Sequence, residues 1–260
     1  MAPRKRFGQH FLKDITIIHA ILDLMRLKPN DHVIEVGPGQ GALTFPILKQ
    51  IDALEVIELD RDLIPILQKN ALDPSKLNIF NDDVLNIDFN ELKKDGRLLR
   101  IVGNLPYNIS TPIIFHLLKY TDIISDMLFM LQKEVAERIN ADVDTKHYGR
   151  LSIMVQYHCK TEIVLDVPPQ SFYPPPKVES NMIRILPHRP YPFRATNEIH
   201  FAHLVQQAFN QRRKTLRNSL KNMVIDSIWN DVQIDPHLRA ENVSVKDFVR
   251  LSNALCNKES

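Results

Sequence analysis

Glycine is scarce in this chain. Only seven of its 260 residues are glycine, where average usage would place roughly 18, so each is expected where a side chain cannot go. Three of them fall together, at Gly37, Gly39 and Gly41. Cysteine is scarcer: Cys159 and Cys256 are too few for a disulfide framework and lack metal-ligand spacing, which fits a reducing compartment. Long apolar runs are missing, since a stretch such as Met127 to Leu131 falls far short of the roughly 18 residues that span a bilayer. Arg4, Lys5 and Arg6 are followed by Gly8, Gln9, His10, Lys13 and Asp14 rather than by the apolar core of a signal peptide. The chain therefore reads as cytoplasmic. Composition also excludes collagenous, disordered and coiled-coil classes.

What is present can build a core: 44% of residues are hydrophobic and 25% are charged. The formal charge of +2 conceals an asymmetry, because residues 186–260 hold 11 basic and 7 acidic side chains. Between Arg189 and Lys221 the basic residues Arg189, Arg194, Arg212, Arg213, Lys214, Arg217 and Lys221 are opposed by Glu198 alone. A second basic patch, Arg4, Lys5, Arg6 and Lys13, opens the chain before the first acid, Asp14. Two such patches on a nearly neutral protein point to a polyanionic partner.

Short apolar runs at 33–36, 54–59, 77–80, 98–102 and 127–131 read as buried strands of a parallel sheet. Helical stretches at 43–51, 62–71, 111–119 and 133–140 separate them, which predicts a doubly wound α/β fold. Residues 151–157, 162–167 and 182–186 read as further strands, an antiparallel addition at one edge. Ahead of the first strand, residues 15–27 form an amphipathic helix behind an Asp14 cap. Pro187, Pro190 and Pro192 mark a linker. The expected division is a main domain at 1–186, with a basic arm at 1–13, and a small helical domain at 187–260. There, a helix around 204–224 would place Val205, Phe209, Leu216, Leu220 and Met223 on one stripe and Arg213, Lys214, Arg217 and Lys221 on another. His200 and His203 have no cysteine or carboxylate partners and read as ordinary helix residues rather than metal ligands. Cys159 reads as structural. With no apolar stripe left over, a monomer is expected.

The segment Val33-Ile34-Glu35-Val36-Gly37-Pro38-Gly39-Gln40-Gly41 is a strand entering a glycine-rich turn that opens a helix, where a cofactor can approach the backbone. Glu58 ends the second strand, placed to accept both hydroxyls of a ribose, and Asp83 ends the third, placed to accept from an adenine amino group. Together they outline an adenosine pocket without settling which adenosine cofactor is bound. The fourth strand ends in Gly103-Asn104-Leu105-Pro106-Tyr107. An exocyclic base amine is a poor nucleophile because its lone pair is delocalised into the ring. Acceptors that hold its two hydrogens out of plane activate it, and the Asn104 side-chain oxygen with a backbone carbonyl beside Pro106 can supply them, while Tyr107 stacks on the base.

Asn-Leu-Pro-Tyr at 104–107, Glu-Val-Gly-Pro-Gly-Gln-Gly at 35–41 and Gly-Gln-His-Phe-Leu at 8–12 resemble the motif set of S-adenosylmethionine-dependent rRNA adenine N6,N6-dimethyltransferases, in particular the small-subunit (KsgA-like) family. Residues 172–180, Phe-Tyr-Pro-Pro-Pro-Lys-Val-Glu-Ser, resemble its Phe-x-Pro-x-Pro-x-Val-x-Ser element, and residues 209–216 resemble its C-terminal signature. Leu105 is the variant this family uses at the second position of the Asn-x-Pro-Tyr motif. The resemblance implies a Rossmann-like methyltransferase sheet and cofactor contacts from His10, Leu12, Gly37, Gly39, Glu58, Asp83 and Asn104. It implies a catalytic set of Asn104, Leu105, Pro106, Tyr107 and Phe172, with the target adenine flipped between Tyr107 and Phe172. With rRNA as the polyanionic partner, the two basic patches are expected to contact it through Arg4, Lys5, Arg6, Arg212, Arg213, Lys214, Arg217 and Lys221. The implied reaction is transfer of four methyl groups to two adjacent adenosines near the 3′ end of 16S rRNA in an immature small subunit, releasing S-adenosylhomocysteine. A related large-subunit enzyme of the macrolide-resistance type shares the cofactor motifs, but Arg212-Arg213-Lys214-Thr215-Leu216 favours the small-subunit group. The intact Glu58, Asp83 and Asn104 argue against a purely non-catalytic assembly factor.

Overall fold

The computed structural model describes residues 9–93, 95–211 and 213–259, which divide into two compact units. One comprises the described residues up to 136 together with 162–187; the other comprises 137–161 and the described residues from 188 on. The break near 187 lies at the proline-rich linker, whereas residues 137–161 join the helical unit, so that the boundary also falls inside the strand Cys159–Val167. The expected boundary of 1–186 against 187–260 did not separate that segment.

The strands are β1 (Phe11–Leu12), β2 (His32–Val36), β3 (Leu54–Ile57), β4 (Leu77–Phe80), β5 (Leu99–Asn104), β6 (Ile124–Gln132), β7 (Cys159–Val167), β8 (Phe172–Tyr173) and β9 (Ser180–Pro187). Seven form one sheet in the order β4-β3-β2-β5-β6-β9-β7. β2 pairs in parallel with β3 and β5, as do β3 with β4 and β5 with β6, while β9 runs antiparallel to β6. Every residue of β2 and β3 is buried, the pattern of strands covered on both faces. From β2 the chain first steps outward to β3 and β4, then returns to β5 on the other side. The strand order thus reverses at β2 and β5, and their carboxyl ends form the crevice where such sheets bind ligands.

That crevice requires glycine. Gly37, Gly39 and Gly41 adopt φ of 69°, 58° and 90°, a left-handed turn that carries the chain off β2. Across the gap, a Cβ on Gly103 would lie 2.4 Å from the Val36 carbonyl oxygen, so β5 can approach β2 at this level only as glycine. The Ile15–Met25 helix begins as expected: Asp14 Oδ1 accepts from the Thr16 and Ile17 amides at 3.0 and 3.3 Å. Ser171 Oγ donates to its other oxygen at 3.0 Å, and these bonds lower the Asp14 carboxyl, Ser171 foremost.

Two elements differ from the sequence expectation. Residues 151–157 are not a strand but part of the Arg150–His158 helix. Leu151 to Val155 are all buried, Ser152 included, and a run buried on every side carries no period to separate strand from helix. The helix starts where Ser152 Oγ accepts from the Gly149 amide at 3.0 Å and donates to the Arg138 carbonyl. The expected helix around 204–224 is two: Glu198–Phe209 and Leu216–Ser219. The Leu216 and Arg217 amides donate to the Leu238 and Pro236 carbonyls at 2.7 and 3.0 Å instead of to the preceding turn. Val205, Leu216 and Leu220 are nonetheless buried, packing the helical unit with residues such as Phe201, Trp229 and Phe248.

Candidate active site

A cavity of about 330 Å³ opens at the carboxyl ends of β2, β3 and β5, within the size range of small-molecule sites. It brings together His10, Gly37, Gly39, Glu58, Asp83, Asn104, Leu105, Pro106 and Tyr107. A smaller recess of about 40 Å³ beside it is lined by Leu12, Glu35, Gly37, Gly39 and Asn104 among others. Nine expected residues therefore share one cavity, and Leu12 borders its neighbour.

Phe172 is not among them. It is fully buried at 0% exposure, packed in the core with Leu12, Val167 and Met182, and paired with Leu12 in the short antiparallel ladder between β1 and β8. The sequence expectation set Phe172 as one face of a base sandwich, whereas here its ring is packed in the core and does not line the cavity. Alternation along a strand turns Phe172 inward and Tyr173 outward, the latter 60% exposed. Of the basic residues, Arg4, Lys5, Arg6 and Arg212 lie outside the described residues. Arg213, Lys214, Arg217 and Lys221 are exposed on the helical unit, with Arg217 paired to Asp226 at 2.6 Å.

The acidic wall is prepared by backbone donors. Glu58 is only 6% exposed, and its two oxygens accept from the Gly39 amide at 3.2 Å and the Asp60 amide at 2.8 Å. Burial raises its carboxyl to about 7 against the pull of those donors. Behind it Glu35 is raised to about 8, again by burial, while Thr44 Oγ1 donates to it at 2.6 Å. Asp83 Oδ1 accepts from the Leu85 amide at 3.0 Å, which closes a tight turn and leaves the other oxygen as acceptor. A glycine turn, a carboxylate at the end of the second strand and another at the end of the third fit an adenosine-containing cofactor. Gly39 adds a cradle, since a Cβ there would meet the Phe11 ring at 3.0 Å.

The opposite wall is held by the N-terminal segment. Asn104 Nδ2 donates to the His10 carbonyl at 2.9 Å, so its Oδ1 remains as acceptor. His10 Nδ1 donates to the Pro174 carbonyl at 2.7 Å, and its ring stacks on Tyr107 with centroids 5.4 Å apart and planes 25° apart. The Tyr107 and Ser180 hydroxyls bond at 2.7 Å, and burial raises the phenol. Sequence reasoning missed Gln9, whose Nε2 donates to Asp60 at 3.1 Å, and Phe11, although both stand inside the quoted 8–12 motif. It also missed Ser180, the last residue of the quoted 172–180 element.

Among the described residues no group of three or more His, Cys, Asp or Glu is placed to hold a metal, and His200 and His203 bond to Ser252 and Gln207 at 3.1 and 3.2 Å. No helix among them is long and apolar enough to cross a membrane. Cys159 is buried, which pushes its thiol up to about 12.

A family model described as ribosomal RNA adenine dimethylase matches residues 2–257. The ribosomal RNA small subunit methyltransferase A of Alcanivorax borkumensis is 50% identical, the match covering 96% of this chain and 89% of that protein. The protein of the same name in Pseudomonas putida is 48% identical over 98% of this chain and 96% of its own. A solved dimethyladenosine transferase from Plasmodium falciparum shares 27% identity and superposes with a TM-score of 0.80, covering 93% of this chain and 96% of that one. The 23S rRNA methyltransferase ErmE is alike in fold, with a TM-score of 0.74 at 22% identity over 95% of this chain and 99% of its own. With a family model that spans nearly the whole chain and relatives near half identity along it, the chain belongs to the ribosomal RNA adenine dimethylase family.

Proposed function

We propose that this protein transfers methyl groups from S-adenosylmethionine to N6 of two adjacent adenosines near the 3′ end of 16S rRNA in the small ribosomal subunit, dimethylating both. The observation that carries the reading is one cavity with two unlike walls: Gly37, Gly39, Glu58 and Asp83 on one side, and Asn104 to Tyr107 on the other. S-adenosylmethionine supplies, when bound, a methyl group on a cationic sulfur that needs no further activation. Glu58 holds the ribose hydroxyls, Asp83 the adenine amino group, and the glycine turn admits the methionine end against His10 and Leu12. Asp82 and Asp83 give the cavity an acidic side, which suits a ligand of net positive charge.

On the other wall the work is positioning. Asn104 Oδ1 and the Leu105 carbonyl, which precedes the ring of Pro106, accept the two N6 hydrogens of the target adenine and withdraw its lone pair from conjugation. Tyr107 stacks on the base, an interaction worth about 1–3 kcal/mol. Once the nitrogen carries the transferred charge its proton is strongly acidic, so no side-chain base is required. Arg4, Lys5, Arg6, Arg212, Arg213, Lys214, Arg217 and Lys221 bind phosphates of the rRNA, and Arg217 exchanges Asp226 for one. The protein acts as a cytoplasmic monomer and contributes to small-subunit biogenesis.

Incubation with labelled S-adenosylmethionine and, separately, unmethylated small subunits, large subunits and free rRNA tests this. Label is expected at two adjacent adenosines of 16S rRNA in small subunits. Label confined to large-subunit rRNA, or none, overturns the reading.

A further inference from the structure

Ser180 is a buried polar residue that the mechanism above leaves unused. It begins β9, is 1% exposed, and does not line the cavity. Beyond Asn181, which is also buried and whose amide bonds Asp166, the strand continues with the fully buried apolar side chains Met182, Ile183 and Ile185. The Ser180 hydroxyl is bonded at 2.7 Å to the Tyr107 hydroxyl, whose ring faces the cavity.

A tyrosine side chain has two torsions, and a stacking platform works only when both are set. One contact on the ring, the His10 stack, leaves the plane free to rock about the far end of the side chain. A hydrogen bond at the para oxygen removes that freedom. Ser180 can serve because its own position is fixed: its Cα pairs with Gln132 in the ladder with β6, and the preceding Glu179 bonds Lys133 through both its carbonyl, at 3.0 Å, and its carboxylate, at 2.6 Å. The same 172–180 segment holds His10 through the Pro174 carbonyl. It therefore grips the Tyr107 ring twice, once through His10 and once directly.

We propose that Ser180 is a positioning residue for the RNA substrate: through its bond to the Tyr107 hydroxyl it fixes the ring at the orientation in which it stacks on the target base, without touching base or cofactor. This rests on the methyl transfer to adenine proposed above. Loss of one neutral hydroxyl bond that is felt mainly when the base is seated should lower kcat/KM for small subunits about fivefold.

The test compares the unsubstituted protein, Ser180→Ala, Tyr107→Phe and the double variant, measuring kcat and KM for small subunits, the Kd for S-adenosylhomocysteine, and the melting temperature. Each single variant is expected to lose about fivefold in kcat/KM, the double variant no more than either, and cofactor affinity to stay within about twofold. A double variant that loses the product of the two single losses overturns the proposal, because Ser180 then acts independently of Tyr107. So do single variants indistinguishable from the unsubstituted protein, or a cofactor Kd that weakens in step with turnover. If the unsubstituted protein transfers no methyl to any rRNA, the underlying reading fails and the proposal with it; transfer by that protein with unaltered variants removes the proposal alone.

Discussion

Replacing Glu58 by glutamine separates cofactor affinity from stability, and the structure sets the sign of both. The Glu58 carboxyl is raised from 4.5 to about 7, with burial as the leading cause. At about 1.4 kcal/mol for each tenfold change in proton affinity, holding it ionised at pH 8 costs the ligand-free fold about 3 kcal/mol. Glutamine removes that cost. It also replaces one of two acceptor oxygens by an NH2 group, leaving the Gly39 or Asp60 amide facing a donor, at about 1–3 kcal/mol. These nearly cancel, so the melting temperature at pH 8 is expected to move by only a few degrees.

Affinity does not cancel. Ribose hydroxyls donate best to an ionised carboxylate, and with a carboxyl near 7 about a tenth is ionised at pH 6 and about nine-tenths at pH 8. The Kd of the unsubstituted protein for S-adenosylhomocysteine should therefore tighten almost tenfold from pH 6 to pH 8. Glu58→Gln should bind about 10- to 100-fold more weakly at pH 8, and its Kd should be nearly flat across the window. The sign for stability is opposite. A carboxyl raised in the folded state holds a proton that the unfolded chain releases, so its contribution is full below about 4.5 and is lost as pH rises through about 7. Titration calorimetry at pH 6, 7 and 8 with parallel thermal melts checks both. A wild-type Kd that is flat with pH, or a Glu58→Gln Kd as steep as wild type, would refute the assignment of Glu58 to the ribose.

Three further outcomes follow from single contacts. Gly103→Ala puts a Cβ 2.4 Å from a backbone oxygen of β2, so a loss of about 1–3 kcal/mol or more is expected in denaturant unfolding, together with weakened cofactor binding; unchanged unfolding would mean β2 and β5 can part at no cost. Asn104→Ala should abolish transfer while cofactor Kd stays within about tenfold, and near-normal turnover would remove its role in activating the amine. Phe172→Leu should keep kcat/KM for small subunits within about threefold while lowering stability by about 1 kcal/mol, because the ring is core; a hundredfold loss of activity in a normally stable Phe172→Leu protein would return Phe172 to the base.

The strands that make the crevice were legible because parallel strands buried on both faces are short, mainly apolar runs, as at Val33 to Val36 and Leu54 to Ile57. The same property misled at 151–157, where a mainly apolar run is a helix buried nearly all round. The helix around 204–224 failed for another reason. Its period was right for burial, since Val205, Leu216 and Leu220 all point inward, but the amides of Leu216 and Arg217 are taken by carbonyls at 238 and 236. No local pattern announces such a bond.

The site divides along the same line. Glu58, Asp83 and Asn104 could be placed at one cavity from sequence because each ends a strand or follows its end within three residues, and the sheet carries strand ends to one place whatever the side chains between them do. Phe172 could not, because its facing depends on pairing with Leu12, a contact between segments at opposite ends of the first unit's sequence. That pairing changes what the 8–12 and 172–180 motifs are. Separately they resemble a cofactor clasp and a base platform. Joined by the β1–β8 ladder, with His10 bonded to Pro174 and Asn104 bonded to His10, they form one bracket that orients the Asn104 amide. Conformational freedom in either motif would then be felt at Asn104, more than 60 residues from the nearer one in sequence, because the bracket sets which atom of its amide faces the cavity.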